Sequence, residues 1–187
     1  MNTHHDPINV LMHEHEFIKK VVAALGRLAP SPDKEKDANP DTLREIVRFM
    51  REFADRCHHA KEEDLLFPAM EDKGVPESGC PLESLLKEHQ KGRALVTALS
   101  EAAEALAAGK PEAAGNLAEA VGEITNLYTN HIWKEDEMVF PMVGRLFTDD
   151  EREVLFKRFE QAETEIGADH EALAEFADKL DRETSRD

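Results

Sequence analysis

The sequence predicts an all-α fold: an up-down-up-down four-helix bundle built as a duplicated helical hairpin, with an extra helix at the carboxy terminus. Three observations lead there. Alanine, leucine and glutamate dominate, while valine, isoleucine and threonine form none of the alternating runs that strands need. Apolar residues recur at three- and four-residue spacing through each long segment. Two long stretches of the chain also repeat one another.

Helix signals follow in order along the chain. Asp6 and Pro7 read as a cap and a first-turn proline, with inward positions at 8, 11, 15, 18, 22 and 25. "LAPSPDKEKDANPD" (28–41) is a polar, proline-bearing linker. Thr42 with Glu45 forms an expected capping box for the second helix, which runs to about Gly74. After the turn "VPESGCP", Pro81 opens a third helix that ends near Gly109, and Pro111 opens a fourth that ends near Leu146. Thr148 with Glu151 caps a fifth, interrupted around Gly167. The expected division is a bundle over residues 1–147 and a helical extension over 148–187, packed on or beside it.

The 40 acidic and 23 basic residues leave a formal net charge of -17, which disfavours nucleic acid and anionic membranes as partners. No apolar run approaches a membrane span, and "MNTHHDPINV" lacks the basic and hydrophobic regions of a signal peptide. A cytoplasmic setting is expected, in which Cys57 and Cys80 read as free thiols.

The repeat carries chemistry. "LMHEH" (11–15) matches "LLKEH" (85–89), and "HHAKEEDLLFPAM" (58–70) matches "HIWKEDEMVFPMV" (131–143). The first histidine recurs after 74 residues (15 to 89). The second histidine, a glutamate and a proline recur after 73 (58 to 131, 62 to 135, 68 to 141). Each copy therefore holds a His, then a His-x-x-x-Glu, then a Phe-Pro.

Helical spacing turns these groups inward. His15 falls in the middle of the stripe 8, 11, 15, 18, 22, 25, and His89 within Leu82, Leu85, Gly92, Val96 and Leu99. His58 and Glu62 continue Val47, Met50 and Ala54 towards Leu65. His131 and Glu135 lie among Ile124, Tyr128, Met138 and Met142. Four residues is about one helical turn, so each His-x-x-x-Glu projects both side chains from one face. Counted outward from the connections at ~1.5 Å per residue, all six groups fall within roughly one turn of height. His59 continues a wetter face through Glu52, Arg56 and Glu63 and is expected at the surface or its boundary.

Four imidazoles and two carboxylates in an apolar core are destabilising unless cations hold them, and one cation would leave ligands over. Two metal ions satisfy them, His15 and His58 on one, His89 and His131 on the other, with Glu62 and Glu135 bridging. Nitrogen-rich ligation with bridging carboxylates suits iron best. Two iron ions are expected, joined by an oxo or hydroxo bridge, with coordination positions left for a small ligand. Zinc, with its usual tetrahedral single-ion sites, and manganese are weaker fits.

These motifs, over roughly residues 8–146, resemble the hemerythrin-like family, whose members carry the HHE cation-binding domain. The resemblance implies an up-down-up-down bundle with a non-haem di-iron centre, with histidine ligands at His15, His58, His89 and His131 and bridging glutamates at Glu62 and Glu135. The chain departs from the oxygen-carrying hemerythrins. It has Leu85 and Arg93, not a second histidine, one turn either side of His89, and Glu135 where those carriers have aspartate. Its four histidines and two glutamates look more like the branch containing the bacterial repair-of-iron-centres proteins.

The expected function is to bind, sense or reduce a small oxidant such as oxygen, peroxide or nitric oxide, with a redox partner protein compatible with that role. The alternative is iron sensing, storage or donation without turnover, and whether the protein is an enzyme stays open. Tyr128 reads as a core tyrosine or a further site residue. Gly92 reads as space for a small ligand or close helix packing, and His170 as a surface histidine or a further imidazole. His4, His5 and His13 are given no role. Pro68 and Pro141 are expected to bend or loosen their helices.

Overall fold

Each expected helix begins with a residue that satisfies or removes an orphan backbone donor, and the structure moves two of those starts. The structure, a computed structural model, describes residues 6–29, 39–76, 78–79, 81–166 and 170–185; all its regular elements are helical. Helix α1 spans Pro7–Leu28, where the Asp6 carboxylate accepts the backbone hydrogen of Ile8 at 2.9 Å. Helix α2 occupies residues 40–72 and starts earlier than the Thr42 box. Asn39 accepts from Asp41 N at 2.9 Å, and Pro40 pre-sets the first turn, so the cap is complete before Thr42 is reached.

Helix α3 is Pro81–Ala107, closed by Gly109 at φ +66°. Helix α4 covers residues 113–146 and begins at Ala113, because residues 111–112 form a turn. Helix α5 is Asp149–Ile166, with the Thr148–Glu151 box in place: Glu151 accepts from Thr148 N at 2.9 Å and donates its own N–H to Thr148 Oγ1 at 3.3 Å. Helix α6 is His170–Thr184. Most of the expected linker, the break at Gly167, His4, His5 and Cys80 lie outside the described residues. Cys57 is buried and forms no disulfide.

The two prolines act on the turns before them. Residues Met50–His59, Glu62–Leu66 and Glu135–Val139 form widened, π-type turns. Phe67 N–H bonds to Glu62 O, and Phe140 N–H to Glu135 O, five residues back. Pro68 and Pro141 follow directly, lacking a donor and crowding the carbonyl four residues back, so the ladder widens. The inward face advances by one residue. Leu66, Val139 and Val143 are fully buried, whereas Leu65 is half-buried and Met138 is 47% exposed. The stripe expected through Leu65, Met138 and Met142 is therefore one residue out.

Helix α3 packs on α4, α1 on α4 and α6, and α2 on α3. Two apolar cores result. One gathers Ile18, Phe49, Val96, Ile124 and, from α6, Leu173, Ala177 and Leu180. The other gathers Leu11, Phe67, Leu85, Phe140 and Phe159. On each of α1–α4 the candidate site residue lies in sequence between members of the two cores, so a polar layer is sandwiched between apolar ones.

Candidate metal centre

His15, His58, Glu62, His89, His131 and Glu135 converge in that layer, none more than 3% exposed. His15 Nε2 lies 3.0 Å from His58 Nε2, and His89 Nε2 lies 3.1 Å from His131 Nε2. The glutamates span the two pairs through separate oxygens. Glu135 places Oε2 3.2 Å from His15 and Oε1 3.0 Å from His131; Glu62 places Oε1 3.7 Å from His58 and Oε2 3.4 Å from His89.

Each imidazole is oriented by an acid on another helix. The Nδ1 hydrogens go to Asp136 from His15 (2.7 Å), Glu14 from His58 (2.9 Å), Glu63 from His89 (2.7 Å) and Glu88 from His131 (3.1 Å). That bond turns each ring so that its Nε2 faces the shared centre, the arrangement that orients metal-binding histidines. Cations hold the acids in turn. Lys61 pairs with Glu14 and Lys134 with Glu88, while Arg93 reaches Glu63 at 2.7 Å and Lys19 reaches Asp136 at 3.1 Å.

These supporting groups were not singled out from the sequence, although their signal is in the repeat. "KEE" at 61–63 matches "KED" at 134–136, and an acid precedes both His15 and His89.

Electrostatics separate the two carboxyls. Burial and the facing Glu135 hold the Glu62 carboxyl well above the usual range. Burial acts the same way on Glu135, but His131 overcomes it and keeps that carboxyl well below the usual range. Burial drives His58 down to about 4 against the pull of Glu14. For His131 burial opposes the charge, yet the Glu135 carboxylate beside it wins and raises the imidazole to about 9.

The donor set fits cations. Among the described residues, the four buried oxygens of Glu62 and Glu135 have no hydrogen-bond partner and face only the surrounding imidazole nitrogens, a costly state that a metal ion held by them would relieve. Three donor groups among the described residues have their atoms within 4.8 Å of one another; two lie in the central layer, His15, His58, Glu62 and Glu135, and His59, Glu62, His89 and His131, while Glu14, Cys57, Glu163 and His170 form the third outside it.

His59 corrects the expectation of a surface position. It is 2% exposed, its ring stacked 3.9 Å from that of His89. The widened turn over Met50–His59 buries Cys57, His58 and His59 in succession, which an ordinary α-helical face would not do. His170 is 35% exposed and is not part of the central layer. It stacks on Phe53 and sits 3.2 Å from Glu14, beside Cys57 and Glu163. Tyr128 is buried, and burial pushes its phenol upward, so it stays a hydroxyl. Gly92 packs against it: a Cβ there would sit 3.3 Å from Tyr128 Oη. His13 is exposed.

The profile described as "Hemerythrin HHE cation binding domain" matches residues 6–143. Relatives in Mycobacterium tuberculosis and Mycobacterium bovis, each named only as an uncharacterized protein, are 26% identical over 154 residues. That match covers 82% of this chain and 59% of each relative, so the chain spans about three fifths of their length. No solved structure gives a significant match.

Proposed function

The chain belongs to the hemerythrin HHE cation-binding domain family, and from that premise we propose that it is a non-haem di-iron protein that binds, senses or reduces a small oxidant. The observation that carries this is the pair of buried glutamates, each presenting one oxygen to either histidine pair. His15 and His58 would hold one ion and His89 and His131 the other, with Glu62 and Glu135 bridging. Bound there, two iron ions supply redox electrons and open coordination positions.

The residues around them do the rest. Asp136, Glu14, Glu63 and Glu88 orient the four imidazoles, and the apolar layers above and below exclude bulk water. The raised Glu62 carboxyl and the ionised Glu135 let the pair carry a single negative charge until a cation arrives. An up-down-up-down course of α1–α4, with residues 148–187 as an extension, belongs to the same reading, as do a cytoplasmic setting and a redox partner protein.

Metal analysis of protein purified without added metal, read with optical spectroscopy, tests it. Two irons per chain and an oxo-bridge absorption under air are expected; iron-free protein with no such band after iron loading overturns it. Iron sensing, storage or donation is the second reading, favoured by the near-complete burial of all six donors. Rapid loss of iron to a mild chelator would select it.

A further inference from the structure

Between α2 and α3 lies a cavity of about 230 Å³ that the metal reading leaves without a role. Asp55 and His59 from α2, Arg93 and Thr97 from α3, and Tyr128 from α4 line it. At ~30 Å³ of liquid volume per water, it has room for about seven waters or one small molecule, and falls below the usual size of a drug-sized ligand pocket.

Tyr128 is the informative wall. Its residue is 4% exposed, yet its hydroxyl makes no hydrogen bond among the described residues. The 3.3 Å spacing between Oη and a Cβ at position 92 places that hydroxyl against α3. The oxygen is not among the fully buried polar atoms, so it opens onto the space beside it and can hydrogen-bond to a molecule there. His59 is the second wall. Its Nδ1 is turned to Asp55 at 3.3 Å, and Asp55 is itself held by Arg93 at 2.8 Å. The His59 ring stands 3.9 Å from the His89 ring and belongs to the donor group with Glu62, His89 and His131. One imidazole thus separates the cavity from the cluster.

We propose that this cavity is the access chamber through which a small hydrogen-bonding ligand reaches the His/Glu cluster, held between the Tyr128 hydroxyl and the His59 imidazole. The inference rests on the di-metal reading for its destination. A larger cavity of about 480 Å³ between α1 and α4, lined by Lys19, Ala23, Tyr128, Trp133 and Asp136, is the rival route; Tyr128 borders both cavities, so it is His59 that distinguishes them, since no residue lining the larger one belongs to either central donor group.

Azide is the probe, added to the full metal-containing protein and followed by stopped-flow absorption and by the infrared stretch of bound azide. Thr97→Trp, at an exposed rim position, slows azide association about tenfold, while Ala23→Trp at the rival cavity leaves it unchanged. Tyr128→Phe weakens azide binding about tenfold, the loss of one hydrogen bond, and shifts the azide stretch with metal content intact. His59→Ala, which removes the ring between cavity and cluster, speeds azide association.

Slowing by Ala23→Trp but not Thr97→Trp, or a Tyr128→Phe protein with parental affinity and stretch, overturns the chamber. So does loss of a metal in His59→Ala, which makes that residue a ligand instead of a wall, or a metal-loaded parent that ignores azide. Protein stripped of metal separates the two readings. An azide stretch that Tyr128→Phe alters there supports the chamber even where the di-metal assignment fails, and its absence counts against the chamber alone.

Discussion

Glu14 of α1 accepts the Nδ1 hydrogen of His58 of α2 at 2.9 Å, and the duplicated pair Glu88 and His131 repeats the bond at 3.1 Å. The copies differ in their surroundings. Lys61, behind Glu14, is fully buried and also paired with Glu163 of α5, whereas Lys134, behind Glu88, is 31% exposed. Water weakens the second pair more than the first. Glu14→Gln is therefore expected to lower metal affinity by about 10–100-fold, and Glu88→Gln by less. Competition against a chelator measures both; equal losses would show that the α5 cover has no effect on the site.

The central layer makes a sharper prediction. His58→Ala and Glu62→Ala each purify with less than the parental metal, because each removes a donor that no neighbour replaces. Metal analysis of the folded variants decides, and full metal content in both would refute the assignment.

Glu62→Leu separates stability from binding. The carboxyl is wholly buried, its oxygens lack hydrogen-bond partners, and Glu135 faces it. Replacing such a group by an apolar side chain of similar size is expected to stabilise the metal-free protein by roughly 1–3 kcal/mol while abolishing metal binding. Denaturant melts of metal-free parent and variant check the sign; a less stable variant would mean that Glu62 is satisfied without a cation.

Metal removal from the parent should act in the opposite direction. An ion bound only by the folded state adds about 2.7 kcal/mol when present at 100 times its dissociation constant. For a chain of this size that is a fall in Tm of roughly 5–10 °C on chelation. An unchanged melt would point to a plain helical module with an incidental histidine cluster.

The pH dependence of α6 docking follows from His170. Its hydrogen bond to Cys57 and its contact with Glu14 raise its imidazole to about 10 from an ordinary 6.5. A raised folded value means the charged ring stabilises fully below about 6.5 and loses that contribution as pH climbs through about 10. His170→Ala should cost about 1 kcal/mol at pH 6, or roughly 2–4 °C, with partial exposure keeping it small, and much less at pH 10.5. Paired thermal melts at the two pH values test it; an equal cost at both would assign His170 a packing role on Phe53 only.

Much of this was legible before any coordinates. Repeated His and His-x-x-x-Glu spacings name the six side chains that meet, because helical periodicity is a local property and a duplicated hairpin keeps its levels in step. His59, Leu66, Val139 and Val143 were not legible in the same way. Pro68 and Pro141 mark where two ladders widen, but the resulting one-residue advance of the inward face appears only once the turns are built. The cap at Asn39 was missed for a simpler reason: two adequate caps lie three residues apart, and the earlier one closes first.

By itself the sequence determined the helices, their apolar stripes up to the widened turns and the six groups of the central layer, since each depends on residues within a few turns of one another. Only the tertiary structure decided which acid orients which imidazole, that Lys61 is buried while Lys134 meets water, and that His59 and Tyr128 line one cavity. Those outcomes depend on contacts between residues of different helices, tens of positions apart, where side-chain reach and burial, not periodicity, set the answer.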